Sequence, residues 1–313
     1  MAYGRSKSTR SRRSSKRTTR KKSYLRLRRF YDKKRMPRRS VVSKRRILNI
    51  ASTKKRNGML SWSNTSNTGA SQTIGINTAY VNGGPGAPAH FLFLPTAMNM
   101  LDNSGTTDNP VNSAQRTSTT CYMRGFSERI RIQTSSAVPW FHRRICFTTR
   151  GISPFNTLNT KDTLTQQFGS SADTSNGMER AWYNCTINTM DNTIADRYGI
   201  LFKGQQNKDW NDHFLAPVDT QRVDLKFDKT WVIKTGNQNG ALIERKLWHP
   251  MNKNIVYDDD EQGEVQASSY YSTDSKQGMG DYYILDLFQP GLGATANDIL
   301  NVFSNSTLYW HEK

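Results

Sequence analysis

Along most of the chain short apolar or alternating runs are separated by polar, turn-rich stretches, and the 3.6-residue period of an amphipathic helix is nearly absent. Eight segments have strand character: 90–94 (HFLFL), 122–132 (YMRGFSERIRI), 140–148 (WFHRRICFT), 197–204 (RYGILFKG), 223–233 (VDLKFDKTWVI), 244–257 (ERKLWHPMNKNIVY), 281–288 (DYYILDLF) and 307–312 (TLYWHE). In the fifth, Val223, Leu225, Phe227, Trp231 and Ile233 fall on odd positions with Asp224, Lys226 and Asp228 between them, which predicts a strand buried on one face. Ile130 and Ile132 alternate with Arg129 and Arg131 in the same way. Residues 61–88 and 150–180, rich in Ser, Thr, Asn and Gly, are longer than hairpin turns require and predict elaborate loops. Strands without intervening helices predict an all-β fold, a single eight-stranded antiparallel jelly-roll sandwich; an immunoglobulin-like sandwich is the alternative, disfavoured by length. The absence of a fixed repeat argues against a propeller.

Charge changes this picture at one end only. Residues 1–56 hold 24 Lys and Arg against one acid, Asp32, a net of +23, whereas residues 57–313 hold 21 basic residues and 24 acids, a net of −3. So cationic a segment, with few large apolar residues, cannot bury enough surface to offset the entropy of ordering, which predicts a disordered arm over 1–56 and one folded body over 57–313. Its partner is expected to be a polyanion, above all nucleic acid, because Lys and Arg displace the counterions condensed on phosphates. The candidate DNA-binding residues are Arg12, Arg13, Lys16, Arg17, Arg20, Lys21, Lys22, Tyr24, Arg26, Arg28, Arg29, Phe30, Tyr31, Lys33, Lys34, Arg35, Arg38 and Arg39. Aromatic rings set among arginines suit unpaired bases, since stacking needs a base face that a duplex does not offer; the same rings would also serve as a short element packed on the body. The basic clusters Lys16, Arg17, Arg20, Lys21, Lys22, then Lys33, Lys34, Arg35, Arg38, Arg39, then Lys44, Arg45, Arg46 also read as nuclear-import signals, with the host import machinery as partner.

Rival readings of the arm fit less well. A mitochondrial transit peptide would form an amphipathic helix, and residues 5–23 contain no large apolar residue. A membrane-surface patch would need an apolar or lipid anchor, and position 2 is Ala2 rather than glycine. A solubility tail needs far less than a net of +23. No apolar run of membrane-spanning length exists, so no membrane partner is expected. Cys121, Cys146 and Cys185 are widely spaced without a CxxC pair, which predicts buried free thiols in a reducing compartment; the sequons at Asn64, Asn184 and Asn305 are then expected to be unused.

Catalysis finds little support. His90, His142, His213, His249 and His311 sit in no recognisable Ser or Cys motif, and GGPGAP at 83–88 lacks the Lys and Ser/Thr of a phosphate loop, so it reads as a turn-rich loop. His142 and Cys146 share a strand face, but two ligands make no zinc site; a core histidine beside a buried thiol is the better reading. Asp258, Asp259, Asp260 and Glu261 form the one acidic cluster and lack EF-hand spacing; a solvated loop, or one pairing with basic residues of a neighbour, is favoured over Ca²⁺ between subunits. No enzyme activity, cofactor or metal is expected. Trp140, Phe141, Trp231, Trp248, Tyr282, Tyr283, Tyr309 and Trp310 are more aromatic residues than one sandwich must bury, which predicts that some lie at subunit contacts.

Six segments carry a family resemblance: CYMRGFSERIRIQ, PWFHRRICF, VDLKFDKTWVIKTGN, KLWHPMNKNIVYDDDEQG, GMGDYYILDLFQP and the terminal STLYWHEK. From about residue 116 to the end the chain resembles the capsid proteins of genomoviruses, the gemycircularvirus type with small circular single-stranded DNA genomes, and the basic arm matches theirs in character. The resemblance implies a jelly-roll shell domain over 57–313, a small icosahedral homo-oligomer of about 60 copies, an arm turned inward onto a single-stranded DNA genome, and localisation to the virion and the host nucleus. A cellular nucleic-acid-binding structural protein of ribosomal or nucleoid type, with a basic tail, is the alternative.

Overall fold

The computed structural model describes residues 43–102, 104–106, 109–166 and 169–313. In chain order these form α1 (Lys44–Ala51), β1 (Thr53–Met59), β2 (Ser61–Thr65), β3 (Ser71–Ile76), β4 (Ala79–Asn82), β5 (Ala89–Phe93), β6 (Thr120–Thr134) and β7 (Trp140–Thr149). They continue with β8 (Ala172–Thr174), β9 (Gly177–Trp182), α2 (Asp191–Leu201), β10 (Asp224–Ile233), β11 (Leu242–Val256), β12 (Asp260–Gln262), β13 (Val265–Ala267), β14 (Asp281–Pro290) and β15 (Ile299–Glu312). The described chain is mostly strand, as its periodicity predicts.

Two antiparallel sheets dominate. The first has the order β1-β15-β6-β11, with β4 also on β15; the second has the order β10-β7-β14-β5. Their facing sides interdigitate, Met123, Phe126, Leu308 and Trp310 of the first meeting Phe93, Cys146, Tyr282 and Ile284 of the second. Farther along, Ile130, Ile132 and Val302 meet Phe91, Trp140 and Phe288. The other side of the second sheet is buried too: Ile145, Phe147, Tyr283 and Leu285 pack under Tyr198 and Leu201 of α2 and under Phe202 and Phe214. This explains two kinds of strand sequence. HFLFL and DYYILDLF are nearly continuous because both faces are covered, whereas β6 alternates because its outer face meets solvent.

Several expectations need correction. Residues 197–204 are not a strand, since α2 covers their first half; its buried positions Thr193, Arg197, Tyr198 and Leu201 are spaced as a helix face, a period that one turn of sequence cannot display. The two sheets hold nine strands among the described residues, and two of them, β4 and β1 at the end of the basic segment, lie outside the segments the alternation marks. The inward residues of β1 are Lys55, Asn57 and Met59, and Lys55 is buried against Glu312 at 3.0 Å and the Gln115 carbonyl at 2.9 Å. Two of those three inward positions are polar, so no apolar alternation announced the strand. A disordered arm reaching residue 56 is therefore also incorrect, because 44–51 are helical and 53–56 are paired to β15.

The stretches 61–88 and 150–180 are not loops throughout. They contribute β2, β3, β8 and the start of β9 to a small sheet of order β3-β2-β9-β8, in which β2 and β9 run parallel. Side-chain amides and hydroxyls hold it, as in the Asn184 N–H donating to Asn64 Oδ1 at 2.8 Å, so the sequons at these two asparagines are buried. Nor do the odd residues of β10 share one face: a bulge between Leu225 and Phe227 sends Leu225 to the α2 side and Phe227 between the sheets.

Candidate nucleic-acid interface

The DNA-binding expectations at residues 12–39, and the import clusters within them, lie outside the described residues. Of the third import cluster, Lys44 and Arg46 are exposed on α1, and Arg45 lies on the same helix. α1 leads through Ser52 into β1, an edge strand of the first sheet.

The solvated face of that sheet is cationic, which sequence reasoning missed. Register places Arg56 opposite Tyr309, Lys54 opposite His311, Arg129 between Asn305 and Lys246, and Arg131 between Phe303 and Glu244. With Arg124 these make six cations, against the single carboxylate of Glu244. Lys54, Arg56, Arg129 and Lys246 are exposed and have no ion-pair partner among the described residues. Arg131 lies 4.3 Å over the Phe303 ring, an arginine and an aromatic ring side by side on the open face. Such a row can take phosphates along a strand without reading bases. The signal was in the alternation itself: Arg129 and Arg131, alternating with Ile130 and Ile132, mark the solvated side and give it a sign.

Toward the β1 end of this face, Lys54, Arg124, Ser127, Trp248, Tyr309 and His311 line an open cleft of about 420 Å³. Two bulges build it. Gly125 pairs with both Pro250 and Tyr309 and Met123 with both Lys253 and Trp310, so Arg124 has no register partner on either side and is re-aimed outward. Its guanidinium donates to Asn252 Oδ1, within the β11 bulge. Trp248 and Tyr309 stand 5.9 Å apart with ring planes at 58°. Burial, then Arg124, then Lys54, lower the His311 pKa, the mark of an electropositive surface.

Between the sheets lies a wholly buried ionic cluster. Arg144 forks onto Asp286 at 2.7 and 2.8 Å and reaches Glu128 at 2.5 Å, while Arg180 joins Glu128 at 2.8 Å and Asp286 at 2.9 Å. His142 Nε2 donates to Asp286 at 2.7 Å, and its Nδ1 accepts from Arg245 at 2.8 Å, an arrangement that requires the neutral ring. Burial pushes His142 down to about 4 despite Asp286, and burial together with Arg144 does the same to His249. Burial alone would raise the Asp286 pKa, but Arg144 and His142 outweigh it and hold it far below the usual range. No nucleophile stands against a base and an open cavity here; two arginines and two carboxylates neutralise one another and lock the sheets in register.

The other candidates resolve individually. His142 is a core histidine, but the thiol of Cys146 faces His249 at 3.7 Å rather than His142. Cys121, Cys146 and Cys185 are free and buried. Within the acidic run Asp259 is taken by Arg116 of the same chain at 2.6 Å, fully buried, while Asp260 and Glu261 lie exposed on the β12–β13 hairpin, so the run is not one solvated loop. GGPGAP is a run of bends between β4 and β5. Of the eight aromatics, Trp140, Tyr282, Tyr283 and Trp310 are core, Phe141, Trp231 and Tyr309 are half-buried, and Trp248 is exposed. No family model matches the chain, and the search of the curated proteins finds no match.

Proposed function

We propose that this chain is a capsid subunit whose body is an eight-stranded jelly roll and whose basic N-terminal segment packages single-stranded DNA. The single observation that carries the reading is the partition of charge: a net of +23 in residues 1–56, joined at β1 to the edge of a sandwich whose remaining residues are nearly neutral. Strand order supports the jelly roll. Taking β1, β5, β6, β7, β10, β11, β14 and β15 as first to eighth, the sheets run first-eighth-third-sixth and fifth-fourth-seventh-second, so that every successive pair crosses between sheets except the fourth and fifth, which are neighbours in one sheet, the order of a double Greek key. The resemblance to genomovirus capsid proteins points the same way, and carries nuclear delivery through the basic clusters and a closed shell of identical subunits.

The magnitudes are consistent. A simplest icosahedral shell needs on the order of 60 copies, whose residues 1–52, with 21 Lys and Arg against Asp32, together bring roughly 1,200 positive charges, matching a genome of about a thousand to a few thousand nucleotides. Such packaging needs no base code, and the body needs no catalytic group. The test is negative-stain electron microscopy of the purified full-length protein mixed with circular single-stranded DNA. Closed particles of uniform size are expected. DNA coated irregularly, without closed particles, would refute the capsid reading in favour of a cellular nucleic-acid-binding protein, and metal-dependent nicking of the DNA would refute it in favour of an enzyme.

A further inference from the structure

We propose that the Trp248–Tyr309 cleft on the solvated face of the first sheet binds an unpaired nucleobase, with Lys54 and Arg124 on the flanking phosphates. The inference rests on the packaging function and deepens it, because the folded body itself then grips single-stranded DNA in addition to the arm.

Trp248 is the one exposed tryptophan of the seven in the chain. Trp140, Trp182 and Trp310 are fully buried, whereas Trp248, on the edge strand β11, is 48% exposed on the solvated face. Leaving that much indole in water forgoes a large hydrophobic gain, so a ligand that covers it gains what folding left unused. The ring is also held in place. A Cβ on Gly125 would come within 2.7 Å of the Trp248 indole and 2.6 Å of the His249 carbonyl, so glycine at 125 is what lets the indole lie against β6. A ring fixed before binding loses little entropy when a base stacks on it.

The surroundings select the ligand. Trp248 and Tyr309 are tilted by 58° rather than stacked on one another, so a flat ring laid on one presents its edge to the other. The cleft volume of about 420 Å³ lies in the range of small-ligand sites. None of its lining residues is acidic, and Lys54 and Arg124 stand at its sides with Arg56 one pair along β1. A second copy of this face would set these cations against Lys54, Arg56, Arg129 and Lys246 of its partner with only Glu244 to offset them, which disfavours self-association through it. A duplex hides its base faces, leaving a single strand as the polyanion that satisfies ring and charge together.

The test uses the full-length protein and an oligo(dT) carrying 5-bromodeoxyuridine, irradiated and mapped by peptide mass spectrometry. Crosslinks are expected at Trp248 or Tyr309 as well as at Tyr24, Phe30 or Tyr31 of the arm, and the body crosslinks should be competed by unlabelled single strand but not by duplex of equal phosphate content. Trp248→Ala should lose the body crosslink and lower the ratio of single-strand to duplex affinity about five-fold or more, and Trp248→Phe should recover most of it. Arm crosslinks without any at 248 or 309 would overturn the inference while leaving the packaging function standing. So would competition by duplex as effective as by single strand, or a Trp248→Ala chain that fails to assemble yet keeps its affinity ratio, which would assign the ring to a subunit contact. Absence of crosslinks from arm and body alike would defeat the packaging function itself.

Discussion

Asp286→Asn should cost this protein about 3–5 kcal/mol of stability, because it converts a neutral buried cluster into one with an uncompensated positive charge. Asp286 accepts four hydrogen bonds: His142 Nε2 and Arg144 Nε on one oxygen, Arg144 Nη2 and Arg180 Nη2 on the other. An asparagine of the same shape keeps one acceptor oxygen, and whichever way the amide is turned two of the four donors meet an N–H. Each lost charge-assisted bond is worth about 1.5–3 kcal/mol, so two of them alone reach the stated range. At about 2–4 °C per kcal/mol the melting temperature should fall by roughly 6–20 °C. Urea unfolding at pH 7, followed by tryptophan fluorescence, measures it, with the exposed Glu244→Gln as a control expected to change stability by less than about 0.5 kcal/mol. Combining Asp286→Asn with Arg180→Met should cost less than the sum of the two, by about 1–3 kcal/mol, since each alone strands the other's partner. A loss below about 1 kcal/mol for Asp286→Asn, or strict additivity, would show that these charges do not act as a unit.

Stability should also fall on mild acidification, since His90, His142 and His249 are all held below 6.5 by burial, the latter two at about 4. Unfolded imidazoles take protons near pH 6.5 while the folded ones wait, so stability present above 6.5 is lost as pH falls toward 4, about 3 kcal/mol for each of the latter two. Asp281 opposes this, because burial raises it to about 7 and its contribution is lost as pH rises from its unfolded value through 7. Asp281→Asn should therefore steepen the acid loss in urea midpoints taken between pH 7 and 4.5; an unchanged slope would contradict the assignment. Deleting residues 1–42 should leave the body folded, whereas deleting 1–56 removes Lys55 from Glu312 and half of β1, and circular dichroism melts of the two should differ by several degrees. Single-strand affinity should fall with salt at about −0.7 per phosphate contact, and a flat response in a filter-binding titration would show that charge is not the main contact.

The parts of this protein legible without coordinates are those where one local rule dominates. Continuous apolar runs at β5 and β14 and clean alternation at β6 marked strands, because burial on two faces or on one leaves a distinct period. β1 was hidden because two of its inward positions are Lys55 and Asn57, made acceptable in the interior only by Glu312, the Gln115 carbonyl and the Met178 carbonyl, contributed by residues 60 to 257 positions away in sequence. The small sheet of β2, β3, β8 and β9 was hidden for a related reason: its polar strands are held by side-chain hydrogen bonds across the chain.

By itself, then, the order of residues determined the mostly-β class and the separation of a cationic segment from a near-neutral body, since both follow from the identity of neighbours along the chain. Only the tertiary structure decided that Arg129, Arg131, Lys54, Arg56, Arg124 and Lys246, from three strands, share one solvated face with an exposed Trp248. Strand pairing sets which distant residues lie side by side, and a bulge of one residue is enough to turn a side chain from one face to the other.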